Sequence, residues 1–115
     1  MRLNAFLDAL SQMNCLERLD FRSAGPASDA EICLFHDPLY LAEVRRKCAT
    51  GSGVLDEGPT LARQQIETAA TYVVGAVMDA LRRIMTDKFS KAFIPIAGFH
   101  HAFPKAARLY CLYND

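Results

Sequence analysis

The chain has no excess of either charge: thirteen Lys and Arg residues balance thirteen Asp and Glu, for a formal net charge of zero. Without a basic field there is nothing to gather a phosphate backbone, so electrostatics gives nucleic-acid binding no support and no nucleic-acid partner is expected. It has no Cys-x-x-Cys spacing and no signal-peptide pattern ahead of Cys15, Cys33, Cys48 and Cys111, which therefore read as reduced, mostly buried thiols of a cytoplasmic protein. No apolar run nears the roughly 20 residues that cross a bilayer, so a soluble chain with no membrane partner is expected. The composition of disorder is absent too. With 51% hydrophobic and 23% charged residues a packed core is expected, and 115 residues suit one domain or part of one.

Leu3, Phe6, Leu7, Leu10 and Met13 recur at helical spacing and predict an amphipathic helix with one buried stripe. Arg18 to Phe21, "RLDF", alternates as a short half-buried strand does, and "SAGPAS" stops it. Ser28 and Glu31 have capping-box spacing and open a short helix, "DAEICLF", ending near His36. Asp37 as N-cap and Pro38 as first helical residue start a second one, reaching about Cys48. His36 reads as a structural residue before that cap. Residues 49–59 form the one long loop, and Thr60 is the expected cap of the strongest helix, Leu61 to Met85. Its small residues Ala69, Gly75 and Ala76 would let it lie close to a sheet. "KAFIPIA", Lys91 to Ala97, reads as a strand covered on both faces, with Pro95 near its end.

Strand, helices and strand in that order predict an α/β fold with a parallel sheet. Two strands leave two open edges, so the expectation is an incomplete sheet flanked by helices, either part of a larger one or a subunit that borrows strands in a homo-oligomer.

Several stretches carry a resemblance to one family. "RLNAFLDALSQMNCLERLDF", "HDPLYLAEV", "SGVLDEGPT", "GFHHA" and "YCLYND" resemble, in order and over nearly the whole chain, the N-terminal portion of the histone deacetylase superfamily, which includes acetylpolyamine amidohydrolases and acetoin-utilisation proteins. The resemblance implies a single partial domain over residues 1–115 with an arginase/deacetylase-type fold, and a His pair at the C-terminal edge of a parallel strand. It makes His100 and His101 the catalytic pair, the first assisting electrostatically and positioning a proton, the second acting as general base, a task suited to imidazole near neutrality. It makes Phe99 and Tyr110 the walls of an acyl-lysine tunnel, and Asp56 and Glu57 candidates for a rim acid that holds substrate, an acetylated lysine or polyamine.

The family's zinc is held by an Asp-x-His pair and a later Asp, beyond the point where this chain stops at Asp115, and Leu109 stands where a glycine usually precedes the tunnel aromatic. Zinc lowers the pKa of its water to about 7 and polarises the amide carbonyl, which two histidines alone cannot replace. The expectation is a truncated or fragmentary zinc deacetylase homologue with no metal ligand of its own, no zinc bound by this chain alone and no activity alone. The alternatives are a non-enzymatic α/β module that self-associates or binds a partner, and a small ligand-binding protein using the histidine cleft. Cys33-x-x-His36 fits no closed zinc pattern, "GSGVLDEG" lacks the Lys-Ser/Thr of a phosphate cradle, and Arg45, Arg46, Lys47, Arg82 and Arg83 are expected on solvated faces.

Overall fold

A computed structural model describes residues 2–58, 60–86 and 88–115. Among the described residues four α-helices follow in order, α1 (Arg2–Gln12), α2 (Asp29–Ile32), α3 (Pro38–Thr50) and α4 (Gln64–Met85), with one 3-10 turn at Leu16–Arg18. The local signals for α2 and α3 are realised. Ser28 and Glu31 form a reciprocal capping box, and the Asp37 carboxylate accepts the Leu39 N–H at 2.8 Å ahead of Pro38. The second helix runs two residues past its expected end, to Thr50, before Gly51 stops it.

The long helix starts later than its apolar period implied. Leu61 is held extended by a bridge to Val54, and Thr60 is not its cap; its hydroxyl is donated to Asp56 Oδ2 at 2.8 Å, a carboxylate being the stronger acceptor. The N-cap position falls to Arg63, whose side chain makes no capping bond.

Ile32 of α2, Leu41, Val44 and Cys48 of α3 and Val74 of α4 surround Leu112 and Tyr113 in one core. Each large aliphatic side chain buried this way contributes about 1.5–3 kcal/mol. The last residues are therefore the centre of the fold, threaded between helices. Gly75 governs how α4 joins it. A Cβ there would lie 2.1 Å from the Gly25 carbonyl oxygen and 2.7 Å from Ala27 N, and the Ala27 N–H donates to the Thr71 carbonyl at 3.0 Å. The close approach expected of α4's small residues exists, but against the extended segment 25–27 and not a sheet.

The expected parallel sheet is not formed among the described residues. Their β-structure consists of three isolated antiparallel bridges, Val54 with Leu61, Phe103 with Ala106 and Arg108 with Cys111. Neither "RLDF" nor "KAFIPIA" is a strand: Arg18 closes the 3-10 turn, residues 19–22 and 91–94 have no regular structure, and residues 95–96 lie in a turn closed by the Ala97 N–H on the Ile94 carbonyl at 3.2 Å. An extended segment becomes a strand only when a neighbour accepts and donates. The buried stripe expected of α1 is also missing: Leu3, Leu7 and Met13 are exposed, and the helix touches the rest through Phe6, 5.2 Å from the Phe93 ring. Phe93 itself is 72% exposed. Accordingly the Cα radius of gyration, 15.8 Å, exceeds the about 13 Å of a closed domain this size. No helix among the described residues is long and apolar enough to cross a membrane.

The cationic clusters differ from solvated faces in one respect. Arg45 reaches from α3 to Asp29 at 2.7 Å and to Glu67 of α4 at 3.2 Å, and Arg82 pairs with Glu31, so arginines tie three helices together. The cysteines are all free; Cys48 and Cys111 are buried, and burial pushes the Cys48 thiol's pKa up.

Candidate functional site

The two adjacent histidines sit on a segment fastened at both ends. On the N-terminal side Gly98 adopts φ +111°, a conformation that favours glycine, and its N–H and that of Phe99 donate to the Asp115 carboxylate at 2.9 and 3.1 Å. The Asp115 N–H returns a bond to the Phe99 carbonyl at 3.0 Å. On the C-terminal side the Asn114 side chain grips Ala102 twice, accepting its N–H and donating to its carbonyl, both at 3.0 Å. Two consecutive residues near the end of the chain thus bracket His100 and His101.

The two rings lie 4.2 Å apart between centroids and are tilted by 43°, with both residues exposed. His100 Nδ1 is 3.0 Å from the Gly98 carbonyl oxygen. A carbonyl can only accept, so this contact puts the proton on Nδ1 and leaves Nε2 of the neutral ring with a free lone pair.

Asn114 also joins a buried aromatic cluster. His36 is 2% exposed, its ring 4.9 Å from Phe35, 5.3 Å from Tyr40 and 5.6 Å from Tyr113. Burial lowers its pKa, opposed in part by the backbone carbonyls of Pro104 and Phe103, although Nδ1 makes no hydrogen bond among the described residues. Nε2 accepts the Asn114 N–H at 3.0 Å. Tyr40 donates its hydroxyl to the Leu112 carbonyl at 2.8 Å, and burial raises the pKa of both tyrosines. No spacing in the sequence announces the link between His36 and Asn114, which are 78 residues apart.

The loop and turn expected at the rim meet each other. Arg108 and Cys111 exchange both backbone bonds across a two-residue turn whose central residues, Leu109 and Tyr110, both have positive φ, +49° and +65°. The Tyr110 N–H donates to Asp56 Oδ2 at 3.1 Å. Asp56 also accepts the Gly58 and Thr60 N–H groups at 3.0 and 3.3 Å. Burial alone would raise this carboxyl's pKa, but the donations from Thr60, Tyr110 and Gly58 outweigh it and hold the group below the ordinary carboxylate range. Asp56 is thus a staple between loop and turn, while Glu57 beside it is exposed. A cleft of about 390 Å³ lies between Leu55–Glu57 and Phe103 with Ala106–Arg108. His100, His101, Phe99 and Tyr110 do not line it. The structure therefore joins Asp56 to Tyr110 and the histidines to each other without enclosing them in one pocket.

Comparison with known proteins gives the class to which a chain with this clamped histidine pair belongs. The histone deacetylase domain matches over residues 1–115, and the chain belongs to that family. It is 25% identical over 125 aligned residues to the acetoin utilization protein AcuC of Staphylococcus xylosus, covering 100% of this chain and 32% of that protein. AcuC of Bacillus subtilis (strain 168) is 28% identical over 118, covering 94% and 30%. The chain spans about a third of the length of these relatives. The crystal structure of the HDA15 HD domain superposes with a TM-score of 0.82 at 22% identity, covering 98% of this chain and 32% of that one. The fold therefore resembles about a third of a histone deacetylase domain, with no sheet formed among the described residues.

Full-length members of the family imply zinc. Among the described residues no three His, Cys, Asp or Glu side chains converge as a metal-holding group. The donors present do not fit a zinc ion by themselves.

Proposed function

We propose that these residues are the N-terminal segment of a histone-deacetylase-like amidohydrolase and supply the proton-handling half of its site, the metal ligands coming from outside the 115 residues. The observation that carries this reading is the family match over the whole chain, coinciding with a histidine pair clamped by Asp115 and Asn114. In it His101 is the general base that takes the proton of an attacking water, and His100, whose Nδ1–H is spent on Gly98, assists through Nε2. Phe99 and Tyr110 line the path of the acyl chain. Asp56 sets the rim loop against Tyr110, and Glu57 is the acid that meets substrate, an acetyl-lysine or acetylpolyamine amide. The polypeptide alone does not hydrolyse such an amide, because nothing in it polarises the carbonyl as a metal does.

The test is acetate release from an acetyl-lysine peptide. The 115-residue chain with added zinc should give none that depends on His101, and sustained zinc-dependent release abolished by His101→Ala would overturn the inactivity. In a longer chain continuing past Asp115 with an Asp-x-His strand, His101→Ala should cut the rate by about 100-fold or more.

A second reading has its own observation. Residues 19–22 and 91–94 pair with no neighbour in a ladder while Phe21 and Phe93 are exposed, and unpaired apolar chain of this kind is buried by association. A self-associating or partner-binding module would then be the function. Sedimentation showing a stable monomer at high concentration would remove it.

A further inference from the structure

The family resemblance gives His36 no task, and its position suggests one. A buried imidazole with one unpaired nitrogen is costly to keep unless its other nitrogen does something no apolar side chain could. Here Nε2 accepts the backbone N–H of Asn114 at 3.0 Å, and Asn114 holds Ala102, the residue after His101, by two bonds of 3.0 Å. The next residue, Asp37, donates its N–H to the Pro104 carbonyl at 2.9 Å. The dipeptide that precedes α3 therefore holds both the stretch following the histidines, at Pro104, and the Asn114 that grips Ala102. Asn114 can reach both polar groups of Ala102 only while its own backbone is fixed, and His36 supplies the side-chain acceptor that fixes it.

We propose that His36 is a positioning residue for the His100–His101 pair, acting through Asn114 and Ala102. The inference rests on the reading of that pair as the working one. Phe35, Tyr40 and Tyr113 hold the His36 ring in place, so the chain of contacts runs from a rigid aromatic cluster, through one backbone amide, to the segment that carries both histidines.

The test uses NMR on the 115-residue chain. A scalar coupling across the hydrogen bond is expected between the Asn114 amide and His36 Nε2, together with a cross-relaxation contact between the His100 and His101 rings. His36→Leu should speed exchange of the Ala102 amide about tenfold, the worth of one lost hydrogen bond, and weaken the ring contact. His36→Gln, whose side-chain oxygen can still accept, should restore both. Parent-like exchange and ring contact in His36→Leu would overturn the proposal, as would failure of Gln to restore them, or faster exchange spread evenly over α3 and α4. If His36→Leu does not fold, the unaltered chain decides: Asn114 and Ala102 amides opening together, with protection matched within about fivefold, support the link, and a wider gap or no coupling overturns it. None of these readouts uses turnover. An inactive chain leaves this inference standing, and an active one with unmoved readouts sinks it alone.

Discussion

Gly75 of α4 faces the carbonyl of Gly25 so closely that a methyl group on Gly75 would lie 2.1 Å from that oxygen. The contact lets the extended segment 25–27 lie along the helix and donate from Ala27 to Thr71. Two effects oppose each other in Gly75→Ala. Helix propensity favours alanine by about 1 kcal/mol. The overlap is with backbone, which cannot swing aside, so the net result should be a loss of about 1–3 kcal/mol in urea denaturation. Gly25→Ala is the control, since its Cβ would meet nothing within 4 Å. Equal stability of the two variants would show that the segment does not lie on α4.

Asp56 ties the 56–60 loop to the turn at Tyr110. Asp56→Ala removes acceptors from the Thr60 hydroxyl and from three N–H groups. Those donors are in part recoverable by water, so a loss of about 1–3 kcal/mol is expected. Amide exchange should rise first at Tyr110 and Thr60, and unchanged exchange at Tyr110 would count against the staple.

Leu109 occupies a left-handed position at φ +49° while remaining 57% exposed. A branched residue gains nothing there by burial and carries a backbone cost of about 1–2 kcal/mol. Leu109→Gly should therefore raise the thermal midpoint, offset only by the greater freedom of glycine in the unfolded chain. Leu109→Ala, which keeps a Cβ, should not. A lower midpoint for the glycine variant would sink this account of the turn.

The acid side of the stability curve should carry the mark of His36. Burial lowers its pKa in the folded chain from an ordinary value of 6.5. As pH falls below 6.5 the unfolded chain takes up this proton first, so stability is full above 6.5 and is lost as pH falls through the folded value. His36→Gln should flatten that stretch of the curve. Asp56 acts in a lower window: its depressed pKa means stability present above 3.8 and lost as pH falls through the folded value.

Much of this was legible locally. The capping box at Ser28 and Glu31 and the Asp37-Pro38 start of α3 depend on residues two or three apart, and they formed as read. Thr60 was misread because a carboxylate four residues earlier in the chain competed for its hydroxyl, a choice that spacing does not rank. The histidine pair could be seen in "GFHHA", but its clamp could not, since Asn114 and Asp115 meet it across 12 to 17 residues of chain.

Sequence by itself determined the helices, the free cysteines and the family to which the chain belongs, because periodicity, capping and motif order are written in neighbouring residues. Tertiary structure alone decided that the C-terminal segment is core, that His36 faces Asn114 and that residues 19–22 and 91–94 have no ladder among the described residues. The physical reason is that a buried acceptor or a strand edge is defined by what lies opposite, and that neighbour comes from distant chain.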